Sequence, residues 1–267
     1  MKAKKRYGQH FLLPQWADKL VEAIEPRADD RFLEIGPGPG VLTLRLAPRV
    51  AHVTAVEVDQ VMVALLAPKL PSNVTLVHHD FLETPVGWPE EVSDQPLRVA
   101  GNLPYNVSSP ILFRLIESHK RYGRLTDATL MLQREVAERI EAGPGSKVYG
   151  VLSIFVQLHA DVRRVLALPP GAFRPAPRVH SSVIRLRFRP PAVVLSDEAA
   201  FGAMVRSMFT QRRKTLSNAL KPFATSRGRD ASAALAAAAI DPSRRAETLQ
   251  LDELARLAEF FVTAKSD

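Results

Sequence analysis

The tetrapeptide Asn102-Leu103-Pro104-Tyr105 contains the groups needed to hold a planar amine in place. It closely follows a short apolar run, Leu97–Ala100, which predicts that it lies at the end of a β-strand. The carbonyl oxygens of the Asn102 side chain and the Leu103 main chain can each accept a hydrogen bond. Tyr105 offers an aromatic face for stacking. An ordinary turn also favours Asn and Pro, so the tetrapeptide alone leaves that alternative open.

Residues that could bind a cofactor precede the tetrapeptide at a regular spacing. Gly36, Glu57, Asp80 and Asn102 are separated by 21, 23 and 22 positions, each about one strand–helix unit. The carboxyl ends of neighbouring parallel strands meet at one edge of a sheet, where ligands of open α/β sheets bind. The spacing therefore predicts that these four residues line one ligand site.

The glycine-rich turn Gly36–Gly40 favours S-adenosylmethionine over a dinucleotide as the cofactor. Its glycines let the backbone turn sharply beside a ligand, but Pro37 and Pro39 lack the N–H donors that a pyrophosphate would use. Glu57 can accept hydrogen bonds from a ribose diol, and Asp80 can accept one from an adenine amine. Asp80 can equally be a helix N-cap. An NAD-dependent enzyme is an alternative that does not explain the tetrapeptide.

These two sets of residues together predict methyl transfer to the N6 atom of an adenine. The N6 lone pair is delocalised into the ring, whereas the sulfonium of S-adenosylmethionine is an excellent leaving group. The protein therefore has to position and desolvate the amine rather than supply a strong base. Phe173, in the proline-rich segment Pro169–Pro177, could bring a second aromatic ring to the base or could simply pack within its loop.

The charge distribution favours a polyanionic partner. The chain of 267 residues has a formal net charge of +8. From Val162 to Arg229 it has 14 basic residues but only two acidic ones, and a second basic block runs from Lys2 to Arg6. Concentrated positive charge of this kind is typical of nucleic-acid binding, although a solvated surface is the alternative.

Several classes of protein do not fit the composition. No run of about 18 uncharged apolar residues is present, so no membrane span is predicted. The basic N-terminus lacks the apolar region of a secretory signal. The chain has no cysteine, and His78-His79-Asp80 is a poor metal site because adjacent strand residues point to opposite faces. A cytoplasmic, metal-free monomer is expected.

Apolar runs rich in β-branched residues alternate with segments of helical period, which predicts a parallel sheet with helices on both faces. The last two strands have no helix between them and are expected to pair antiparallel at the sheet edge. Helices are expected at Val41–Ala47, Gln60–Lys69 and Pro110–Ser118. The predicted strands are Arg31–Ile35, Val53–Val58, Val74–His78, Leu97–Ala100, Ala128–Leu132, Val162–Ala167 and Ser181–Phe188.

Two domains are expected, because Pro190-Pro191 ends the strand pattern and resembles a linker. Residues 1–189 would form the α/β domain. Residues 190–267 would form a small helical domain, with helices at Asp197–Lys221 and Ala231–Lys265.

The chain resembles the bacterial small-subunit ribosomal RNA adenine dimethyltransferases over nearly its whole length. The resemblance implies a class I, Rossmann-like methyltransferase sheet with a small all-helical C-terminal domain. It also implies N6,N6-dimethylation of two adjacent adenosines near the 3′ end of 16S rRNA, in a precursor of the 30S ribosomal subunit. The segments that carry it are Tyr7–Leu12, Glu34–Gly40, Gly101–Tyr105, Leu132–Val136, Tyr149-Gly150, Pro169–Ser182 and Gln211–Leu216.

The resemblance also implies roles for individual residues. The family usually has Asn at the position of His10, where an imidazole could replace the amide. Leu103, Pro104, Tyr105 and Phe173 would form the target-base pocket. The residues implied to contact S-adenosylmethionine are His10, Leu12, Gly36, Glu57, Asp80 and Asn102.

For the RNA, the resemblance implies a basic helix, Thr210–Leu220, that presents Arg212, Arg213 and Lys214. Two other interpretations stay open. One is an N6-adenine methyltransferase that acts on large-subunit rRNA or DNA. The other is a non-catalytic ribosome assembly factor.

Overall fold

The computed structural model describes residues 10–84 and 95–262. The basic block from Lys2 to Arg6, the motif residues Tyr7 to Gln9 and the last residues of the second predicted C-terminal helix lie outside these ranges. No helix in the described ranges is long and apolar enough to cross a bilayer. The chain divides into two compact units, residues 1–137 with 160–189 and residues 138–159 with 190–267.

The first unit is built on a seven-stranded, mostly parallel sheet, which confirms the predicted α/β class. The strand order is β4-β3-β2-β5-β6-β9-β7, and β1 and β8 form a separate two-stranded sheet. The strands are β1 (Phe11–Leu12), β2 (Arg31–Ile35), β3 (His52–Glu57), β4 (Val74–His78), β5 (Leu97–Asn102), β6 (Leu125–Gln133), β7 (Ala160–Leu168), β8 (Phe173–Arg174) and β9 (Ser181–Phe188).

The central strands β2, β3 and β5 are almost continuously buried, as expected for a parallel sheet covered on both faces. β7 and β9 pair antiparallel, and β7 is the edge strand, as the missing helix between them predicts. β9 lies between β6 and β7 and pairs antiparallel with both. Ser181, the first residue of β9, is therefore fixed on two sides by the sheet.

Local signals explain where several helices begin and end. Pro14 occupies the first turn of α1, and the Asp59 side chain accepts a hydrogen bond from Val61 N at the start of α3. Gly123 ends α4 in the left-handed conformation. The helices up to the end of the first unit are α1 (Pro14–Ile24), α2 (Thr43–Leu46), α3 (Gln60–Leu66), α4 (Ser108–Tyr122) and α5 (Arg134–Glu141), which continues into the second unit.

The second unit is helical, but its division into helices differs from the prediction. Residues 138–159 group with it rather than with the sheet. The predicted helix Asp197–Lys221 is wrong as one element, and Ala231–Lys265 is interrupted in its described part. The remaining helices are α6 (Val151–His159), α7 (Glu198–Thr210), α8 (Leu216–Ala219), α9 (Lys221–Ser226), α10 (Ala231–Ala237) and α11 (Leu251–Glu259).

Main-chain hydrogen bonds explain the first interruption. Lys214 N donates to Gln211 O at 2.8 Å, which closes a turn after α7. Thr215 then forms an antiparallel bridge with Arg245, and Leu216 N donates to the Arg244 carbonyl at 2.7 Å. These contacts hold Thr215 in an extended conformation, which is incompatible with a continuous helix through this position.

A left-handed residue explains the second interruption. Ala239 has a φ of 54°, and Ile240 N donates to Leu235 O at 2.9 Å, which is the pattern of a Schellman motif at the end of α10. Pro242 follows shortly and disfavours renewed helix.

Candidate active site

The structure brings the four regularly spaced residues together at one cavity. Gly36, Glu57, Asp80 and Asn102 all line it, each after or at the end of a parallel strand of the series β4-β3-β2-β5. The register explains this arrangement, because Ile35 pairs with both Val56 and Gly101. His10, Leu12 and the tetrapeptide residues Leu103, Pro104 and Tyr105 line the same cavity.

The glycine-rich turn and Glu57 hold each other in place. Gly36 and Gly38 have φ values of 71° and 54°, which favour glycine. Gly38 N donates to Glu57 Oε2, and Asp59 N donates to Glu57 Oε1, each at 2.9 Å. Burial raises the pKa of Glu57, against the opposing effect of these main-chain donors. The carboxylate thus has a fixed orientation, and its remaining lone pairs can accept hydrogen bonds from a diol.

Asp80 caps a turn rather than the start of a helix, which was the alternative that the sequence left open. Its Oδ1 accepts a hydrogen bond from Leu82 N at 2.9 Å, within a turn that follows β4. A carboxylate has about four acceptor positions, so capping and contact with an adenine amine are compatible.

Glu34 is a cavity residue to which the sequence argument gave no role. It is 2% exposed and lines the cavity, and its Oε2 has no hydrogen-bond partner within the described residues. Burial raises its pKa to about 7, the charge of Glu57 adds to this effect, and Thr43 opposes it. The available signal was an acidic residue among the apolar residues Phe32, Leu33 and Ile35 of strand β2.

Asn102 is oriented by the main chain just before the first strand, β1. Its Nδ2 atom donates to the carbonyl oxygen of His10 at 2.9 Å. The amide group therefore uses its donor side for this bond, and Oδ1 is the acceptor that it can offer to a ligand.

Tyr105 is half-buried and held at its ring and its hydroxyl group. The His10 imidazole stacks on it with a centroid distance of 5.7 Å and an interplanar angle of 26°. The His10 Nδ1–H group donates to Pro175 O at 2.8 Å. The Tyr105 hydroxyl lies 2.8 Å from Ser181 Oγ. Burial raises the pKa of Tyr105, so the phenol is neutral at ordinary pH.

Phe173 is not placed as a stacking face for a base. It is fully buried in the hydrophobic core with Leu12 and Leu20, and it is not among the side chains that line the cavity. The cause is the pairing of β8 with β1, which sets Phe173 opposite Leu12. The ring would have to leave the core to contact a ligand.

The basic residues of the second unit lie on a turn, which corrects the predicted basic helix. Residues 211–213 form a turn, and Arg213 and Lys214 are exposed. Arg212 is different, because it forms an ion pair with Glu247 and donates to Ser146 O at 3.2 Å. The turn thus presents two exposed cations and one that is engaged within the unit.

The cavity residues fit S-adenosylmethionine. Glu34 supplies a buried carboxyl oxygen with no partner among the residues that the structure describes, which a cationic ligand group would satisfy. The turn at Pro37 and Pro39 lacks main-chain donors for a pyrophosphate. Glu57 and Asp80 supply the acceptors that an adenosine moiety needs.

The sheet and its cavity define a class I methyltransferase. Among solved structures, the chain is similar to a dimethyladenosine transferase from Plasmodium falciparum, with a TM-score of 0.77, 26% identity and coverage of 94% of this chain and 97% of the other. It is also similar to the 23S rRNA methyltransferase ErmE, with a TM-score of 0.68, 26% identity and coverage of 93% and 98%. Use of S-adenosylmethionine is general in this class.

The chain belongs to the ribosomal RNA adenine dimethylase family, whose model matches residues 1–262. The ribosomal RNA small subunit methyltransferase A of Syntrophotalea carbinolica is 43% identical over 259 residues, which cover 96% of each chain. The protein of the same name from Xanthomonas euvesicatoria pv. vesicatoria is 42% identical over 260 residues, which cover 96% of this chain and 95% of the relative. The family resemblance in the sequence is thereby confirmed.

Proposed function

We propose that this protein transfers methyl groups from S-adenosylmethionine to N6 of two adjacent adenosines near the 3′ end of 16S rRNA. The product is N6,N6-dimethyladenosine, and the substrate is a precursor of the 30S subunit in the cytoplasm. The observation that carries the proposal is that Asn102 and Tyr105 line the same cavity as Gly36, Glu57 and Asp80. Amine acceptors, a stacking ring and cofactor contacts are thus combined in one site.

The adenine amine is positioned by two carbonyl oxygens. In the first transfer, Asn102 Oδ1 and the main-chain oxygen of Leu103 accept the two N6 hydrogens, which draws the nitrogen toward tetrahedral geometry. In the second transfer N6 already has one methyl group, and one of the two oxygens accepts its remaining hydrogen. The bond from Asn102 Nδ2 to His10 O keeps Oδ1 available for this role. As N6 becomes positively charged, the two oxygen dipoles stabilise it. The amine then loses a proton to solvent, and no strong base is needed.

S-adenosylmethionine supplies an electrophilic methyl group when it is bound. Glu57 would hold the ribose hydroxyls, Asp80 the adenine amine, and Gly36, His10 and Leu12 would surround the rest. The main-chain hydrogen bonds to Glu57 fix the orientation of its carboxylate before the cofactor binds. This lowers the entropic cost of ordering the site on binding.

Tyr105 supplies the stacking surface for an adenine taken out of its helix. Base–aromatic stacking contributes about 1–3 kcal/mol per base. Exposed Arg213 and Lys214 supply phosphate contacts in the second unit. All the cavity residues described come from one chain, and the proposed active form is a monomer.

Methylation of purified 30S particles from a strain that lacks this gene tests the function. The protein is incubated with isotopically labelled S-adenosylmethionine, and the rRNA is digested and analysed by mass spectrometry. Two dimethylated adjacent adenosines near the 3′ end of 16S rRNA are expected, with Asn102→Ala protein as the control for contaminating activity. Absence of label in 16S rRNA would contradict the proposal.

Because the chain is similar to a 23S rRNA methyltransferase, large-subunit rRNA is a second candidate substrate. The same incubation with 50S particles and with duplex DNA measures it directly. Label in 23S rRNA or DNA alone would favour this alternative. Binding to 30S particles without any methyl transfer would instead indicate an assembly factor.

A further inference from the structure

The hydroxyl group of Tyr105 has a rigid partner, Ser181, which has no role in the reaction proposed above. Ser181 Oγ lies 2.8 Å from it and is 1% exposed. Ser181 is paired with Gln133 of β6 and Leu168 of β7, so its backbone is fixed on both sides. Tyr105 itself lies in the turn before α4 and has no such support from the sheet.

The Tyr105 ring is also restrained on one face. The His10 imidazole covers that face, and it is anchored in turn through its Nδ1–H group to Pro175 O. Pro175 and Ser181 both belong to the segment between β8 and the start of β9, so one segment restrains the ring at its face and at its tip.

We propose that Ser181 is a positioning residue for methyl transfer, which fixes the tilt of the Tyr105 ring by holding its hydroxyl group. The inference rests on the proposed function. The target adenine stacks on the face of Tyr105 that His10 does not cover. The tilt of the ring therefore sets where N6 lies relative to Asn102 and Leu103, and a displacement of about 1 Å at such a site can cost about 100-fold in rate.

A purely structural role is the competing explanation. On that explanation the buried Ser181 and half-buried Tyr105 hydroxyl groups form a hydrogen bond simply to be satisfied. Its loss would then lower stability without a specific effect on the reaction. The neighbouring residue provides a matched control. Ser182 is also 1% exposed on β9, but its hydroxyl group has no partner in the described part of the chain.

A double-mutant cycle separates the two roles. The variants Ser181→Ala, Tyr105→Phe, their combination and Ser182→Ala are compared by single-turnover methylation of 30S particles. S-adenosylmethionine affinity is measured by calorimetry, and stability by thermal unfolding. We expect each of the first two variants to slow transfer about tenfold, the usual effect of one hydrogen bond. The combination should be no slower than either single variant, because both remove the same bond. Cofactor affinity and the Ser182→Ala rate should not change.

A wild-type transfer rate for Ser181→Ala, or a double variant slowed by the product of the single effects, would overturn the role of Ser181 while leaving the proposed function intact. Should Ser181→Ala fold poorly, a wild-type rate for Tyr105→Phe would overturn it as well. No transfer by the wild-type protein would overturn both the proposed function and this role.

Discussion

The side-chain amide of Asn102 donates a hydrogen bond to the main-chain carbonyl of His10, 92 residues earlier, at 2.9 Å. This contact ties the end of β5 to the residue that precedes β1. The donor nitrogen is engaged in this bond, so the acceptor oxygen is the atom that remains for the proposed contact with a base amine.

Asn102→Ala is expected to lower methyl transfer about 100- to 1,000-fold, as the removal of one group that stabilises charge in a transition state does. Cofactor affinity should fall less than about tenfold, because only one hydrogen bond is at stake there. Single-turnover rates and calorimetry measure the two effects. Asn73→Ala is the control, since Asn73 bonds to Ala47 and Val50 just before β4 begins. Equal losses of rate and affinity would reduce Asn102 to a cofactor contact.

Glu34 should make stability depend on pH. Its native carboxyl group keeps its proton up to about pH 7, whereas its ordinary pKa is 4.5. The free energy of unfolding therefore falls as the pH rises between these values, and the contribution of neutral Glu34 is fully present only below about 4.5.

Glu34→Gln should remove this fall, so that the difference in unfolding free energy between variant and wild type changes by on the order of 3 kcal/mol from pH 4.5 to pH 7.5. Urea titrations without cofactor at several pH values measure it. The exposed Glu22→Gln variant should follow the wild-type curve. A parallel curve for Glu34→Gln would contradict the assignment.

Arg98 links three elements of the first unit and should be important for its stability. It donates to Asp127 and Asp30 at 3.0 and 2.6 Å and to the carbonyl oxygen of Ile24 at 2.8 Å. Arg98→Met would remove the cationic partner of two largely buried carboxylates, and we expect it to lower the unfolding free energy by about 3–5 kcal/mol.

Arg45→Met provides the comparison for Arg98, because Arg45 pairs with Asp18, whose side chain is 58% exposed. That change should cost less than about 1 kcal/mol. Chemical denaturation of both variants gives the two values, and a similar cost for both would show that burial does not set the strength of the Arg98 network.

Ala239→Gly should stabilise the second unit. The left-handed φ of 54° strains an alanine by roughly 1–2 kcal/mol and does not strain a glycine. The greater freedom of glycine in the unfolded chain offsets part of this, so we expect a net gain of about 1 kcal/mol. Ala236→Gly, at an exposed position within α10, should cost about the same amount. Thermal unfolding gives the sign of each change.

RNA binding should weaken steeply with salt and depend on the exposed turn. Arg213→Ala and Lys214→Ala should each reduce the slope of log affinity against log salt by about 0.7–0.9. Arg212→Ala should change the slope less, because Arg212 is paired with Glu247. Filter binding of 30S particles over a range of salt concentrations measures the slopes, with Arg256→Ala on α11 as the control. An affinity independent of salt would exclude phosphate contacts.

The sheet could be predicted from the sequence because short apolar runs, which form most of its strands, alternate along the chain with segments of helical period. Arg31–Ile35, Val74–His78 and Ser181–Phe188 have the same bounds in the structure as in the prediction. The convergence of Gly36, Glu57, Asp80 and Asn102 followed from spacing alone, since parallel strands bring their carboxyl ends together.

The errors arose where tertiary contacts decide the local conformation. An alanine- and leucine-rich sequence favours helix throughout, so the break after Thr210 depends on the bridge between Thr215 and Arg245, which local propensity does not contain. Phe173 could not be placed, because an aromatic residue in a proline-rich loop suits a pocket and a core equally well. The hydrogen bond of Asn102 is made to a main-chain oxygen, so the type of side chain at position 10 could not predict it.

Because the partner of Asn102 is a main-chain oxygen, the hydrogen bond does not depend on which side chain residue 10 has. A carbonyl oxygen is supplied by every amino acid, so the tether on Asn102 survives any replacement that leaves the path of the backbone intact. A substitution of His10 should therefore leave the hydrogen bond from the Asn102 amide in place. The effect of such a substitution would fall on the two contacts of the imidazole, which are its stacking on Tyr105 and its hydrogen bond to Pro175 O.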